Sequence, residues 1–290
     1  MNDREIRQFG TDLASERRRV DTDIRGVNFC RRSVGRLSWE YITVSSKEGA
    51  ESIGRPMGHY DTLTTPPMST MDRETLAAAS AEVADELCGL SEGILGTFPE
   101  RVLIVGLGNA SLSPDAVGPL TAADVHATLH IKEWNENLFR SFDCAEVAVA
   151  APGVAAQSGM DAAEAVAGIA ERIEPDMIVA IDALAARSTD RLGRTVQLSD
   201  TGIFPGSGVG NHRLPLTEEA LGIPVIAIGV PTVTDSRVFF EEEARRRGID
   251  VPEDRGAFGM FVSPKEINDI TKTAAAILSD ALNRAFGLRL

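Results

Sequence analysis

The run Arg101-Val102-Leu103-Ile104-Val105-Gly106-Leu107-Gly108-Asn109-Ala110-Ser111-Leu112-Ser113-Pro114-Asp115-Ala116-Val117-Gly118-Pro119 decides the fold. A short, continuous apolar segment stops at two glycines, crosses a polar turn and opens into a helix-compatible stretch. An apolar run without alternation is the mark of a strand covered on both faces, as in parallel sheets. The same design returns in Met177-Ile178-Val179-Ala180-Ile181-Asp182-Ala183-Leu184-Ala185-Ala186-Arg187. In each case an aspartate, Asp115 or Asp182, follows the apolar core of the run. In an open parallel sheet, chemistry gathers beyond the carboxyl ends of the strands. Two carboxylates delivered there from different strands can share a proton and activate a water.

Outward from these runs, further strands are expected at Trp39–Val44, His59–Thr65, Ala145–Ala151, Arg194–Leu198 and Pro224–Val230, with the two runs above contributing Arg101–Gly106 and Asp176–Ile181. Helices are expected at Met71–Leu90, capped by Thr70 or Asp72, and at Pro119–His130, Gly159–Ile173, Val233–Arg247 and Pro264–Phe286. The last is amphipathic through Ile267, Ile270, Ile277, Leu278, Leu282 and Phe286. This alternation predicts a doubly wound α/β/α sandwich with a mostly parallel sheet and an N-terminal extension. Residues 1–35 are charged, with Arg17-Arg18-Arg19 at their centre, and read as a mobile arm.

Composition narrows the function. The 290 residues carry a formal net charge of -14, a surface that repels phosphate backbones and anionic membranes, so neither direct nucleic-acid binding nor membrane association is expected. Cys30, Cys88 and Cys144 lie far apart without metal or redox spacing, as in a reduced cytoplasmic protein. No apolar run reaches membrane-spanning length, and the polar start is no signal peptide.

Other motifs are weaker. Gly106-Leu107-Gly108 lacks the third glycine of a dinucleotide fingerprint, because Ser111 stands there, and reads better as a tight turn. The loop holding Gly206, Ser207, Gly208, Gly210 and Asn211 has no P-loop lysine, and is expected to line a substrate cleft. His126 and His130 stand four apart, but Ala127 occupies the place of the zincin glutamate, so no metal and no other cofactor is assigned. Asp200, before Gly202, reads as a turn former.

These stretches carry a resemblance. Gly106–Pro119, Asp176–Arg187, Ser199–Asn211 and Leu221–Val233 are similar to the germination proteases of spore-forming bacteria, and Ala50–Thr65 and Phe261–Ile267 match more loosely. The resemblance implies an aspartic-type endopeptidase, with a fold like that of hydrogenase maturation proteases, that degrades small acid-soluble spore proteins in the spore core. It implies Asp115 and Asp182 as the catalytic pair, a homotetramer, and a zymogen that cuts itself. Thr11-Asp12-Leu13-Ala14 fits the cleavage pattern, which places the cut between Asp12 and Leu13 and makes residues 1–12 a pro-segment. Residues 13–290 then form one peptidase domain, with an arm and added strands to residue 70 and the α/β core from residue 71. The stretch from Val233 to Val262 looks shorter than in that family. Two alternatives stay open: a metal-dependent peptidase using the same aspartates as ligands, and a non-catalytic nucleotide-binding α/β module.

Overall fold

The computed structural model describes residues 11–16, 24–142, 144–204, 214–249 and 260–287. Among them the strands are β1 (Val27–Val34), β2 (Leu37–Val44), β3 (Gly58–Thr64), β4 (Arg101–Gly106), β5 (Glu146–Ala150), β6 (Met177–Ala185), β7 (Thr195–Ser199), β8 (Val225–Asp235) and β9 (Phe261–Val262). The helices are α1 (Lys47–Ile53), α2 (Arg73–Leu95), α3 (Val117–Asp124), α4 (Leu129–Trp134), α5 (Glu136–Arg140), α6 (Ala155–Ser158), α7 (Ala162–Ile173), α8 (Glu218–Leu221), α9 (Ser236–Arg246) and α10 (Ile267–Phe286).

The sheet order is β1-β2-β3-β7-β8-β6-β4-β5, with β9 pairing the end of β8. The four strands β8, β6, β4 and β5 are parallel, and β1, β2, β3 and β7 add an antiparallel wing. The parallel strands are the continuous apolar runs of the sequence, because helices cover both of their faces. On one face Val102, Ile104, Val179, Ile181, Ile226 and Ile228 pack with α2, α3 and α10 through Val83, Leu87, Val117, Ile277, Leu278 and Phe286. On the other, Leu103, Val105, Ile178 and Ala180 pack with α7 through Ala163, Val166 and Ala170. The expected layered α/β architecture is therefore present.

Local chemistry sets the element ends. Asp72 caps α2 by accepting from the Thr75 N–H at 2.8 Å, and Gly96 closes it in the left-handed region. Where the elements depart from the sequence expectation, tertiary hydrogen bonds compete. Helix α3 stops at Asp124 because Thr128 turns its hydroxyl to the Ala145 carbonyl at 2.6 Å and accepts from the Val147 N–H at 2.7 Å. His126 thus lies between α3 and α4, and does not share a helix face with His130. Val233 to Asp235 belong to β8 instead of starting a helix, since the Val233 carbonyl accepts from Ala186 and β9 pairs Thr234.

The mobile-arm reading of residues 1–35 is corrected over two stretches. Residues 27–34 pair along their whole length with β2. As an edge strand β1 is exposed over most of its length, so it carries no apolar periodicity to read. Thr11 to Glu16 is packed into the protein, with Leu13 and Ala14 fully buried. No described helix is long and apolar enough to cross a membrane.

Candidate active site

Strand β6 runs four residues farther than the sequence suggests, to Ala185, because the long β8 continues to pair with it. Asp182 therefore sits inside the strand, 7% exposed, opposite Gly229 of β8. Its side chain shares a face with Ala180 and Leu184, since side chains alternate along a strand. Gly229 is also opposite Gln197 of β7, and Gln197 is opposite Thr62 of β3. Thr62, Gln197, Gly229 and Asp182 thus form one row across four strands on one face of the sheet. Gly229 has no side chain of its own, and the Leu184 side chain packs over it, flooring a shallow trough between Gln197 and Asp182.

That trough opens into a pocket whose lining includes Asp12, Arg55, Tyr60, Asp182, Gln197 and Ser199. The chain's own segment Thr11–Glu16 borders it, with Asp12 on its wall. The Asp12 N–H donates to the Ala185 carbonyl at 2.8 Å, and the Ala185 N–H donates to the Asp12 carboxylate at 2.9 Å. Arg55 Nη2 donates to the Thr11 carbonyl at 3.2 Å. Gln197 accepts from the Ala14 N–H at 2.9 Å and donates to the Asp12 carbonyl at 3.4 Å. Leu13 is inserted among Leu103, Val105, Leu107, Leu184, Ile203 and Leu216, a burial that stabilises the seated segment by about 1.5–3 kcal/mol.

Beyond Leu13 the segment turns and is held by Glu16. Its carboxylate accepts from the Arg187 and Ser188 N–H groups at 2.6 and 2.7 Å and from the Thr11 hydroxyl. Burial holds the Glu16 carboxyl above its ordinary pKa, against the lowering effect of those hydrogen bonds. Burial pulls the Arg55 guanidinium below its usual value, while the nearby charge of Asp12 opposes that change. The Arg55 Nε is shielded from water and has no hydrogen-bond partner among the described residues.

Asp115 stands one strand over, on the turn between β4 and α3, and is not one of the residues lining this pocket. Its turn is tied down closely. The Asn109 N–H donates to the Asp115 carbonyl at 3.0 Å, and Thr232 of β8 donates to the Pro114 carbonyl at 2.7 Å. Gly108 has φ +108°, and a Cβ there would stand 2.2 Å from the Asp115 carbonyl oxygen. The glycine pair after β4 therefore serves close approach of this turn, as the tight-turn reading expects. Both aspartates lie toward the carboxyl ends of the adjacent parallel strands β4 and β6.

The loop positions Gly206, Ser207, Gly208, Gly210 and Asn211 lie outside the described residues. Asp200 stands in the turn after β7, and its carboxylate accepts from the His59 N–H and pairs with the His59 ring, both at 2.7 Å, so it ties that turn to β3. Among the described residues no group of three or more His, Cys, Asp or Glu is arranged to hold a metal ion. Arg55 and Gln197 were not singled out by the sequence. Gln197 offered one signal, a lone amide within the buried run of β7. Arg55 offered none, as an arginine in an irregular stretch after α1.

Comparison with known proteins adds to this geometry. A family model described as germination protease matches residues 4–245. Similar proteins include a germination protease of Clostridium perfringens, 34% identical over 95% of this chain and 94% of its own length. Another is that of Caldanaerobacter subterraneus, 33% identical over 95% and 93%. The germination protease of Bacillus subtilis is 39% identical over 78% of this chain and 63% of its own. A solved [NiFe] hydrogenase maturation protease, HycI from Thermococcus kodakarensis, superposes over 68% of this chain and 99% of its own, with TM-score 0.37 and 20% identity.

Proposed function

Since the chain belongs to the germination protease family and is a peptidase, we propose that it is a zymogen that cuts itself between Asp12 and Leu13 and then degrades small acid-soluble spore proteins in the spore core. One observation carries the reading. Asp12 lines the same pocket as Asp182, and the Asp12–Leu13 peptide bond is gripped on both sides by hydrogen bonds to β6 and β7. A segment with both flanks fixed is presented much as a substrate is, with its orientation settled before reaction.

In this reading Asp115 and Asp182 act as the catalytic pair. One takes a proton from the attacking water while the other, protonated, polarises the scissile carbonyl. The two titrate as a unit, so neither role is tied to one residue. A homotetramer is part of the same proposal.

The test is intact mass followed over time for the purified chain at mildly acidic pH, wild type beside Asp182→Asn. Loss of Met1 to Asp12 from the wild type alone supports self-cleavage by this site. Equal trimming of both proteins removes Asp182 from the chemistry. If neither is trimmed the zymogen reading fails, and digestion of a purified spore protein then decides the protease assignment.

A further inference from the structure

Gln197 touches both sides of the Asp12–Leu13 bond, the one proposed to be cut. Its Oε1 faces the Ala14 N–H at 2.9 Å. An N–H cannot face an amide nitrogen productively, so this contact fixes which end of the side chain is which. The NH2 end then points to the Asp12 carbonyl oxygen, 3.4 Å away. That oxygen belongs to the Asp12–Leu13 peptide bond itself.

We propose that Gln197 is a catalytic residue, the side-chain donor that stabilises the oxyanion formed on the Asp12 carbonyl during peptide hydrolysis. The inference rests on Asp12–Leu13 being the scissile bond. In the step concerned, water adds to the carbonyl carbon, its proton passes to an aspartate, and the carbonyl π electrons move onto the oxygen. Collapse breaks the C–N bond, the nitrogen takes up a proton, and a carboxylate on Asp12 and an amine on Leu13 result. Negative charge on the oxygen exists only in between, and the Gln197 N–H aims at it.

Three features suit Gln197 to this task. The contact is long in the ground state and shortens as charge grows, and only interactions that strengthen in the transition state speed a reaction. The residue is only 8% exposed, so little water competes for its donor. Its backbone is paired on both sides, to Thr62 and to Gly229, so the donor is mounted on a rigid strand. Gly229 beside it lets Leu184 pack flat over the strand, with no Cβ to push that side chain outward. Asp182 stands on the other side of the same glycine.

The experiment uses the full chain and follows loss of Met1 to Asp12 by intact mass, as a first-order rate, from about pH 4 to 8, a range that spans the raised pKa of a buried carboxyl. The segment is already seated, so the rate contains the chemical step without a binding step. Gln197→Ala and Gln197→Glu are compared with wild type. Both are expected to slow self-cleavage about 100-fold or more at neutral pH, the usual effect of removing one such donor. The introduced carboxyl keeps the acceptor for Ala14 but donates only when protonated. The Glu variant should therefore regain rate relative to wild type on acidification, and the Ala variant should not.

A folded variant whose rate stays within about 3-fold of wild type would overturn the proposal. So would equal slowing of both variants at every pH, which is the behaviour of a residue that merely supports the segment. If thermal melting shows the Glu variant unfolded, Gln197→Met decides, with slowing like that of Ala expected and a near wild-type rate overturning. A wild-type chain that is cut elsewhere, or not at all, removes the scissile-bond reading and this inference with it. That failure is distinct from one in which wild type is cut and the variants keep pace.

Discussion

Asp182 and Gln197 flank the same residue, Gly229, in one cross-strand row, so a carboxylate and an amide stand on either side of a trough whose floor is the Leu184 side chain packed over that glycine. Neighbouring strands lie about 4.8 Å apart, so the two backbones are roughly 10 Å from each other, wide enough to admit one extended chain between their side chains. The segment Thr11–Ala14 runs along the trough, with Asp12 on the pocket wall and the Ala14 N–H bonded to Gln197.

Filling the trough should damage both fold and function. A Cβ at Gly229 would stand 2.3 Å from Leu184 Cδ1, and Leu184 packs in the cluster that receives Leu13. Gly229→Ala is expected to cost about 1–3 kcal/mol of stability, as overpacking does. It should also slow self-cleavage. Chemical denaturation with intact-mass kinetics checks both, and unchanged values for both would refute the trough.

The turn carrying Asp115 depends on Gly108. An alanine there meets a forbidden φ and the Asp115 carbonyl oxygen at 2.2 Å. Gly108→Ala should therefore displace Asp115, and should lower proteolysis about as strongly as Asp115→Asn, by 100-fold or more on the order seen when a catalytic group is lost. Peptide-cleavage rates of the two variants side by side provide the check. A Gly108→Ala protein with wild-type rate would separate Asp115 from catalysis.

Arg55 brings a buried positive charge to Asp12, the residue before the bond proposed to be cut. A buried cation is costly unless an anion or acceptor meets it, and here Asp12 and the Thr11 carbonyl supply these. Replacing Asp12 with Asn should slow self-cleavage in a wild-type background by roughly 10-fold, about the effect of one lost charge contact. In an Arg55→Gln background the same change should matter far less. A double-mutant cycle on the self-cleavage rate measures the coupling, and additive effects would exclude it.

Away from the cleft, Asp61 of β3 is 3% exposed. Burial, the Glu86 carboxyl of α2 hydrogen-bonded to it, and the charge of Asp200 push its pKa up to about 8. A group that holds its proton in the folded state but not in the unfolded chain stabilises the fold at low pH. That contribution is lost as pH rises from its ordinary 3.8 toward 8. Thermal melts should thus fall through this window. Asp61→Asn, which keeps a donor for Glu86, should flatten the fall. Equal slopes for the two proteins would count against a protonated Asp61.

The two apolar runs ending near Asp115 and Asp182 made the parallel core readable, because strands buried on both faces have no polar side to confuse the pattern. Asp72 before α2 and the stripe of α10 were equally legible, since capping and amphipathicity are local. Strand β1 was not, because an exposed edge strand takes its place from β2 and not from its own periodicity.

The sequence by itself determined the layered α/β class, the placing of two aspartates after two different strands, and the pattern Thr11-Asp12-Leu13-Ala14. Each is written in neighbouring residues, where strand and turn preferences act. Only the tertiary structure decided that this segment lies in the cleft, that Arg55 meets it, and that Gln197 reaches its carbonyl. Those relations join residues 44 to 185 positions apart. Cross-strand register and the packing of Leu184 over Gly229 create them, and neither exists until the sheet has assembled.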